Sequence, residues 1–183
     1  MARKLATTPK RWLLSAHILL SGAWLGTSFC FLVLSIVARS THDRNLLLAT
    51  YMSIDVLDRI LVRPMAIGAA VSGILLSVLT QWGLFRFNWI IAKLILTVLL
   101  IASGVIIFGL TRVPRSIISI ISSAGLQALQ NPSYQSNQTL LLIYVIAEVV
   151  FLSASVAVSV FKPAGLRTLT AVSDLGKGAK NMQ

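Results

Sequence analysis

Four long apolar segments alternate with shorter, more polar ones along this chain. The apolar segments cover about Trp12–Ala38, Leu61–Trp82, Trp89–Leu110 and Leu140–Phe161. Each holds roughly 20 or more mostly apolar residues, enough for a helix to cross the ~30 Å hydrocarbon core of a bilayer. The pattern therefore predicts an all-α fold, a four-span transmembrane helical bundle.

The two longer connections between these spans are partly apolar themselves. In Leu46–Ile60 apolar residues recur near helical spacing between charged ones, and Val113–Gln130 repeats the pattern with serine in place of charge. We expect amphipathic interfacial segments here, or, for the first, a water-side extension of the second span. Asn131–Gln138 is polar and predicts a turn. Gly83–Asn88 predicts a tight turn that makes spans two and three antiparallel neighbours.

Composition supports a membrane protein without a separate soluble domain. Of the 183 residues, 56% are apolar and 11% charged, whereas soluble domains carry about 25% charged residues. We expect one transmembrane domain over 1–162 and a cytoplasmic tail over 163–183. The net charge of +11 would suggest nucleic-acid binding in a soluble protein. Here lysine and arginine flank the spans, where they contact lipid headgroups, so the expected partner is the lipid bilayer and not nucleic acid.

The distribution of basic residues predicts an orientation. Four spans place both termini on one side, which carries nine of the lysines and arginines, against six on the opposite side. The positive-inside rule then predicts cytoplasmic termini in a bacterial-type inner or plasma membrane. The basic start of the chain is typical of a signal peptide. Signal cores are only about 7–15 residues long, however, so we predict that the first span is retained.

Three ionisable side chains lie inside the predicted spans, namely His17, Lys93 and Glu148. Such groups are costly in hydrocarbon and often functional. His17 lies about two turns inside the first span, on the same helical stripe as Trp24. Neutral imidazole is a strong ligand that carries no charge, so His17 is a candidate metal ligand, specifically an axial ligand of haem b. The alternative is a histidine that bridges two helices through a hydrogen bond.

Two further features of the first and third spans fit the same site. Gly22 and Gly26 form a GxxxG pair, which admits the close approach of another helix or of a flat macrocycle. Lys93, at nearly the predicted depth of His17, is a candidate contact for a haem propionate or another anionic group. The alternative is that its ammonium extends to the headgroups. Glycines of spans two and three are expected to help helices pack, namely Gly68, Gly73, Gly104 and Gly109.

Glu148 is the candidate for a proton or ion pathway. It lies close to the middle of the fourth span, too deep to reach the surface, and Tyr144 shares its helical face. Such a carboxyl must be protonated, paired or exposed to a wet cavity. The alternative is a protonated carboxyl that simply hydrogen-bonds a neighbouring helix. The chain has no phosphate-binding glycine loop, CxxC or HExxH motif, so catalytic residues are unknown and the sequence does not decide whether it is an enzyme.

The run His17-Ile-Leu-Leu-Ser-Gly-Ala-Trp24-Leu-Gly26 resembles the first span of a superfamily of small membrane proteins. This superfamily includes the CopD-type membrane domain, the HemJ-type protoporphyrinogen oxidase and the DUF2269 group. The spacing from histidine to Trp-x-Gly is similar, as are the start of span two at Pro64 and the Trp89-x-x-x-Lys93 run, so the resemblance covers about the first 110 residues. It implies that His17 and Lys93 take part in haem or porphyrin chemistry.

Three hypotheses for function follow. The first is a haem-b-binding or redox-associated membrane protein, with His17 as axial ligand, Gly22 and Gly26 making room for the ring, and Lys93 contacting a propionate. The second is a non-catalytic membrane subunit or assembly factor, in a homo-oligomer or a larger membrane complex. The third is a small transporter that uses Glu148.

Overall fold

The computed structural model describes residues 7–79 and 87–161, and almost all of them are helical. The predicted all-α bundle is confirmed, because four helical stretches are long and apolar enough to span a membrane. The predicted tail over 163–183 and most of the predicted turn at Gly83–Asn88 lie outside the described residues. The helices are α1 (Thr7–Ser40), α2 (Arg44–Leu57), α3 (Arg63–Leu79), α4 (Asn88–Gly104), α5 (Val113–Ala124) and α6 (Pro132–Phe161).

The four spans form a bundle in which α1 and α4 are diagonal to each other. Helix α1 packs against α3 and α6, and α4 packs against the same two helices. The end of the bundle where α1 begins and α6 ends is called the terminus side below. The opposite end carries α2 and α5, which pack on each other, and is called the cap side.

Helix α2 continues into α3 through a π-helical turn at Asp58–Val62. The combined stretch Arg44–Leu79 has 36 residues, or about 54 Å at 1.5 Å per residue, which exceeds the ~30 Å hydrocarbon core. Helix α2 is therefore the water-side extension of the second span, one of the two predicted options. The wide turn precedes Pro64, whose ring would clash with a carbonyl one α-helical turn earlier.

The prediction of a turn over Asn131–Gln138 is wrong, because α6 begins at Pro132. Asn131 acts as the N-cap: its Oδ1 accepts a hydrogen bond from the Ser133 backbone N–H at 2.9 Å. Proline is favoured at the first helical position, where no N–H is needed. One of the polar side chains in this segment contacts helix α2 instead. Gln138 Nε2 donates a hydrogen bond to Tyr51 Oη at 3.2 Å.

Full burial is concentrated in the middle and on the cap side of the bundle. The buried residues of α1 run from Trp24 to Ala38, and those of α6 from Tyr134 to Leu152. Toward the terminus side, the buried residues among those that the structure describes are Ser72 and Ile90. The inner faces of the four helices are thus only partly covered on the terminus side.

Candidate functional site

His17 is held by the third helix. Its Nδ1 lies 2.9 Å from Ser72 Oγ, and the Ser72 hydroxyl donates to the Gly68 carbonyl oxygen at 2.7 Å. With that hydroxyl proton directed at a backbone carbonyl, the Ser72 oxygen can accept a hydrogen bond from the Nδ1–H tautomer of His17, in which Nε2 keeps its lone pair.

Close packing of α1 on α3 depends on glycines of α3. A Cβ at Gly73 would lie 3.1 Å from His17 Cε1, and one at Gly68 would lie 3.1 Å from Leu20 Cδ1. By contrast, a Cβ at Gly22 or at Gly26 would meet nothing within 4 Å, and both glycines are exposed. The GxxxG spacing identified small residues but not the face on which a neighbour packs.

The structure does not bring Gly22 and Gly26 to His17. Nine residues separate His17 from Gly26, so at about 100° per residue the two lie on roughly opposite faces of α1. The side of α1 that carries His17 faces α3, where Ser72 and Gly73 contact the imidazole. The two α1 glycines therefore lie away from any ligand that His17 would bind.

Lys93 lies at the same end of the bundle as His17, the terminus side. Its Nζ donates a hydrogen bond to Ser159 Oγ. Each span contributes one member to this terminus-side cluster: His17 from α1, Ser72 from α3, Lys93 from α4 and Ser159 from α6. Among the described residues no group of three or more His, Cys, Asp or Glu side chains could hold a metal ion.

Glu148 is completely buried between α1 and α6. Its Oε1 accepts hydrogen bonds from Trp24 Nε1 at 2.8 Å and from Tyr144 Oη at 3.3 Å. Its Oε2 is buried and makes no hydrogen bond within the described part of the chain. Helix α4 closes this central site with Gly104, where a Cβ would lie 3.0 Å from Tyr144 Oη. The helical spacing predicted the Tyr144 contact, but nothing in the sequence paired Glu148 with Trp24.

Two buried aspartates on the cap side were not identified from the sequence as a charged cluster. Asp58 is 3% exposed and forms an ion pair with Arg63 at 2.7 Å. Asp55 is ion-paired with Arg59 and, across helices, with Arg115 Nε at 3.3 Å. The second pair joins α2 to α5, so these charges hold the cap together.

The cap side also carries a polar pocket with a volume of about 330 Å³, which the sequence did not predict. Arg39 and His42 lie on one side of it, and Tyr134 and Gln138 lie on the other. Burial raises the pKa of the Tyr134 and Tyr51 hydroxyls. Gln138 Nε2 donates a hydrogen bond to each hydroxyl oxygen, at 3.2 Å for Tyr51 and 3.1 Å for Tyr134.

Comparison with known proteins adds no relative to this geometry. No family model, no curated protein and no solved structure matches the chain.

Proposed function

We propose that this multi-pass membrane protein binds haem b and takes part in redox chemistry, with His17 as the axial ligand. The observation that carries the proposal is the Nδ1···Ser72 contact of 2.9 Å. Ligating histidines in proteins usually donate their second ring N–H to a nearby acceptor, which fixes the ring and raises the basicity of the other nitrogen. Ser72 Oγ is within hydrogen-bond distance of Nδ1 and can accept such a bond, which supports the proposal.

The terminus-side cluster suits the rest of such a ligand. Lys93 places a cation near His17 and is half-buried, so it can exchange its bond to Ser159 for one to a propionate. Bound haem would supply one-electron chemistry. The proposal does not involve Gly22 and Gly26. The resemblance to the CopD- and HemJ-type superfamily points to the same two residues, His17 and Lys93.

An absorption spectrum tests the haem proposal directly. The protein is purified in mild detergent after expression with added haem, together with His17→Ala and the matched control His42→Ala. We expect a Soret band in the parent and in the control, and its loss in His17→Ala. A folded parent without a Soret band would refute the proposal, and so would a band of full intensity in His17→Ala.

The proposed orientation places both termini in the cytoplasm of a bacterial-type inner or plasma membrane. The terminus side carries the excess of basic residues, which the positive-inside rule assigns to the cytoplasm. Alkaline phosphatase fused after Ser40 should be active and after Leu79 inactive. The reverse pattern of activity would overturn this orientation.

A second candidate function, a subunit or assembly factor of a larger membrane complex, is favoured by the open space at Gly22 and Gly26. Small residues at this spacing let helices from different chains approach closely in a bilayer. Cys30 is exposed and lies one turn beyond Gly26, so it provides a probe on the same stripe. Mild oxidation of native membranes should trap a Cys30-dependent cross-link that Gly26→Leu weakens. Failure to trap any cross-linked species would count against this candidate.

A further inference from the structure

The central site contains a buried polar atom without a hydrogen-bond partner among the described residues, Glu148 Oε2. Oε1 of the same carboxyl accepts hydrogen bonds from Trp24 and Tyr144. The Ser28 hydroxyl, the other polar group of α1 at this carboxyl, donates to the Trp24 carbonyl oxygen at 3.0 Å. Buried polar atoms without a partner are rare and costly, and each calls for an explanation.

The groups around Glu148 favour a proton over a metal ion as the species that Oε2 binds. Helix α1 contributes Trp24 and Ser28, which are neutral, and α6 contributes Tyr144. Helix α4 contributes Gly104, which has no side chain. Metal cations such as Ca²⁺ take about six or more oxygen ligands, and the described side chains here offer too few.

A route for that proton leads toward the cap side. Asp58 lies in the π turn between α2 and α3, is 3% exposed, and forms an ion pair with Arg63, whose side chain is 44% exposed. Ser35, two helical turns beyond Ser28 on α1, carries the second buried oxygen without a hydrogen-bond partner in the described residues. The π turn that holds Asp58 also contacts α1. Two polar groups therefore lie on the cap side of Glu148: Ser35 on α1 and Asp58 in the π turn that packs on α1.

We propose that Glu148 is an exchangeable proton-binding site in the middle of the membrane, loaded from the cap side past Asp58. Loading transfers a proton from water at the cap surface to the Oε2 lone pair, and unloading returns it; no other bond is made or broken. The Trp24 and Tyr144 hydrogen bonds hold Oε1 in place during this exchange. A carboxyl loaded from one side is the element that proton-coupled transport requires, and the inference does not depend on haem binding.

The chain allows a site-specific test, because Glu148 is its single glutamate. Cell-free synthesis with glutamate labelled with ¹³C at the side-chain carboxyl gives one reporter in the full chain. Infrared spectra after transfer from H₂O to D₂O then show whether the carboxyl is protonated and how fast its proton exchanges. We expect a protonated band that shifts within minutes.

Variants at Asp58 test the route. Asp58→Asn should slow the exchange at least tenfold, and the control Asp55→Asn should leave it unchanged. A band that does not shift over a day in the parent protein would overturn the proposal and leave Glu148 as a static hydrogen-bonding group. An unchanged exchange rate in folded Asp58→Asn would overturn the route. If Asp58→Asn does not fold, Asp58→Ser and Asp58→Ala take its place, because each removes the carboxyl that the route requires, and an unchanged exchange rate in either folded variant would overturn the route.

Discussion

Trp24 donates its indole N–H to Glu148 Oε1 at 2.8 Å, although 124 positions separate the two residues in sequence. This bond joins the first and last spans at a fully buried point. Trp24→Phe keeps most of the apolar surface and removes the donor, so it should destabilise the protein by about 1–3 kcal/mol. Thermal unfolding in detergent measures the loss. The control Trp12→Phe changes an exposed ring and should leave the melting temperature within error of the parent; equal losses in both variants would contradict the prediction.

The two buried aspartates differ in their number of ion-pair partners, so removing one arginine from each should cause unequal losses of stability. Arg63 is the ion-pair partner of Asp58, whereas Asp55 retains Arg115 when Arg59 is removed. Arg63→Ala leaves a buried charge unpaired and should cost about 1–3 kcal/mol of stability. Arg59→Ala should cost well under 1 kcal/mol, as surface ion pairs do. Equilibrium unfolding of the two variants side by side checks the order, and a larger loss for Arg59→Ala would reverse our account of the cluster.

Gly104 is the position where α4 approaches α6 most closely at the central site. A Cβ there would lie 3.0 Å from Tyr144 Oη, so Gly104→Ala must displace the phenol and lengthen its bond to Glu148. Overpacking of this kind costs about 1–3 kcal/mol. Gly26→Ala, in open space, is the matched control and should be neutral or slightly stabilising, since alanine favours helix. Equal melting temperatures for Gly104→Ala and Gly26→Ala would contradict the prediction.

The start of α6 depends on the side chain of Asn131. Its Oδ1 accepts from the Ser133 N–H at 2.9 Å, and loss of such a cap costs about 1 kcal/mol. Asn131→Ala should therefore lower the melting temperature by a few degrees. Ser133→Ala keeps the capping bond, because only the backbone of Ser133 takes part, and should behave as the parent does.

How much of this structure the sequence predicts depends on whether a feature arises from local sequence or from contacts between distant parts of the chain. The four spans were predictable because hydrocarbon requires long apolar helices wherever the chain crosses it. Asn131-Pro132 is a local capping signal that indicates the start of a helix, although the polar residues that follow it favour a turn. The pairing of Trp24 with Glu148 was not predictable, because the helical stripe shows which side chains face inward but not which neighbour they meet. The same holds for Gly22 and Gly26, whose spacing does not reveal that their face is open.

The π turn at Asp58–Val62 has a consequence for how the two halves of the second span are related. Its Arg63 N–H bonds to the Asp58 carbonyl oxygen, so one residue more than an α-helical repeat fits into the turn. The helix beyond it is out of phase with the helix before it by about 100°. A second π segment at Val105–Leu110 shifts the third span in the same way before α5. Deleting a single residue such as Ile60 would bring α2 back into phase with α3 and rotate Asp55 away from Arg115. The number of residues in these turns, more than their type, therefore sets how the cap-side helices are rotated relative to the membrane spans.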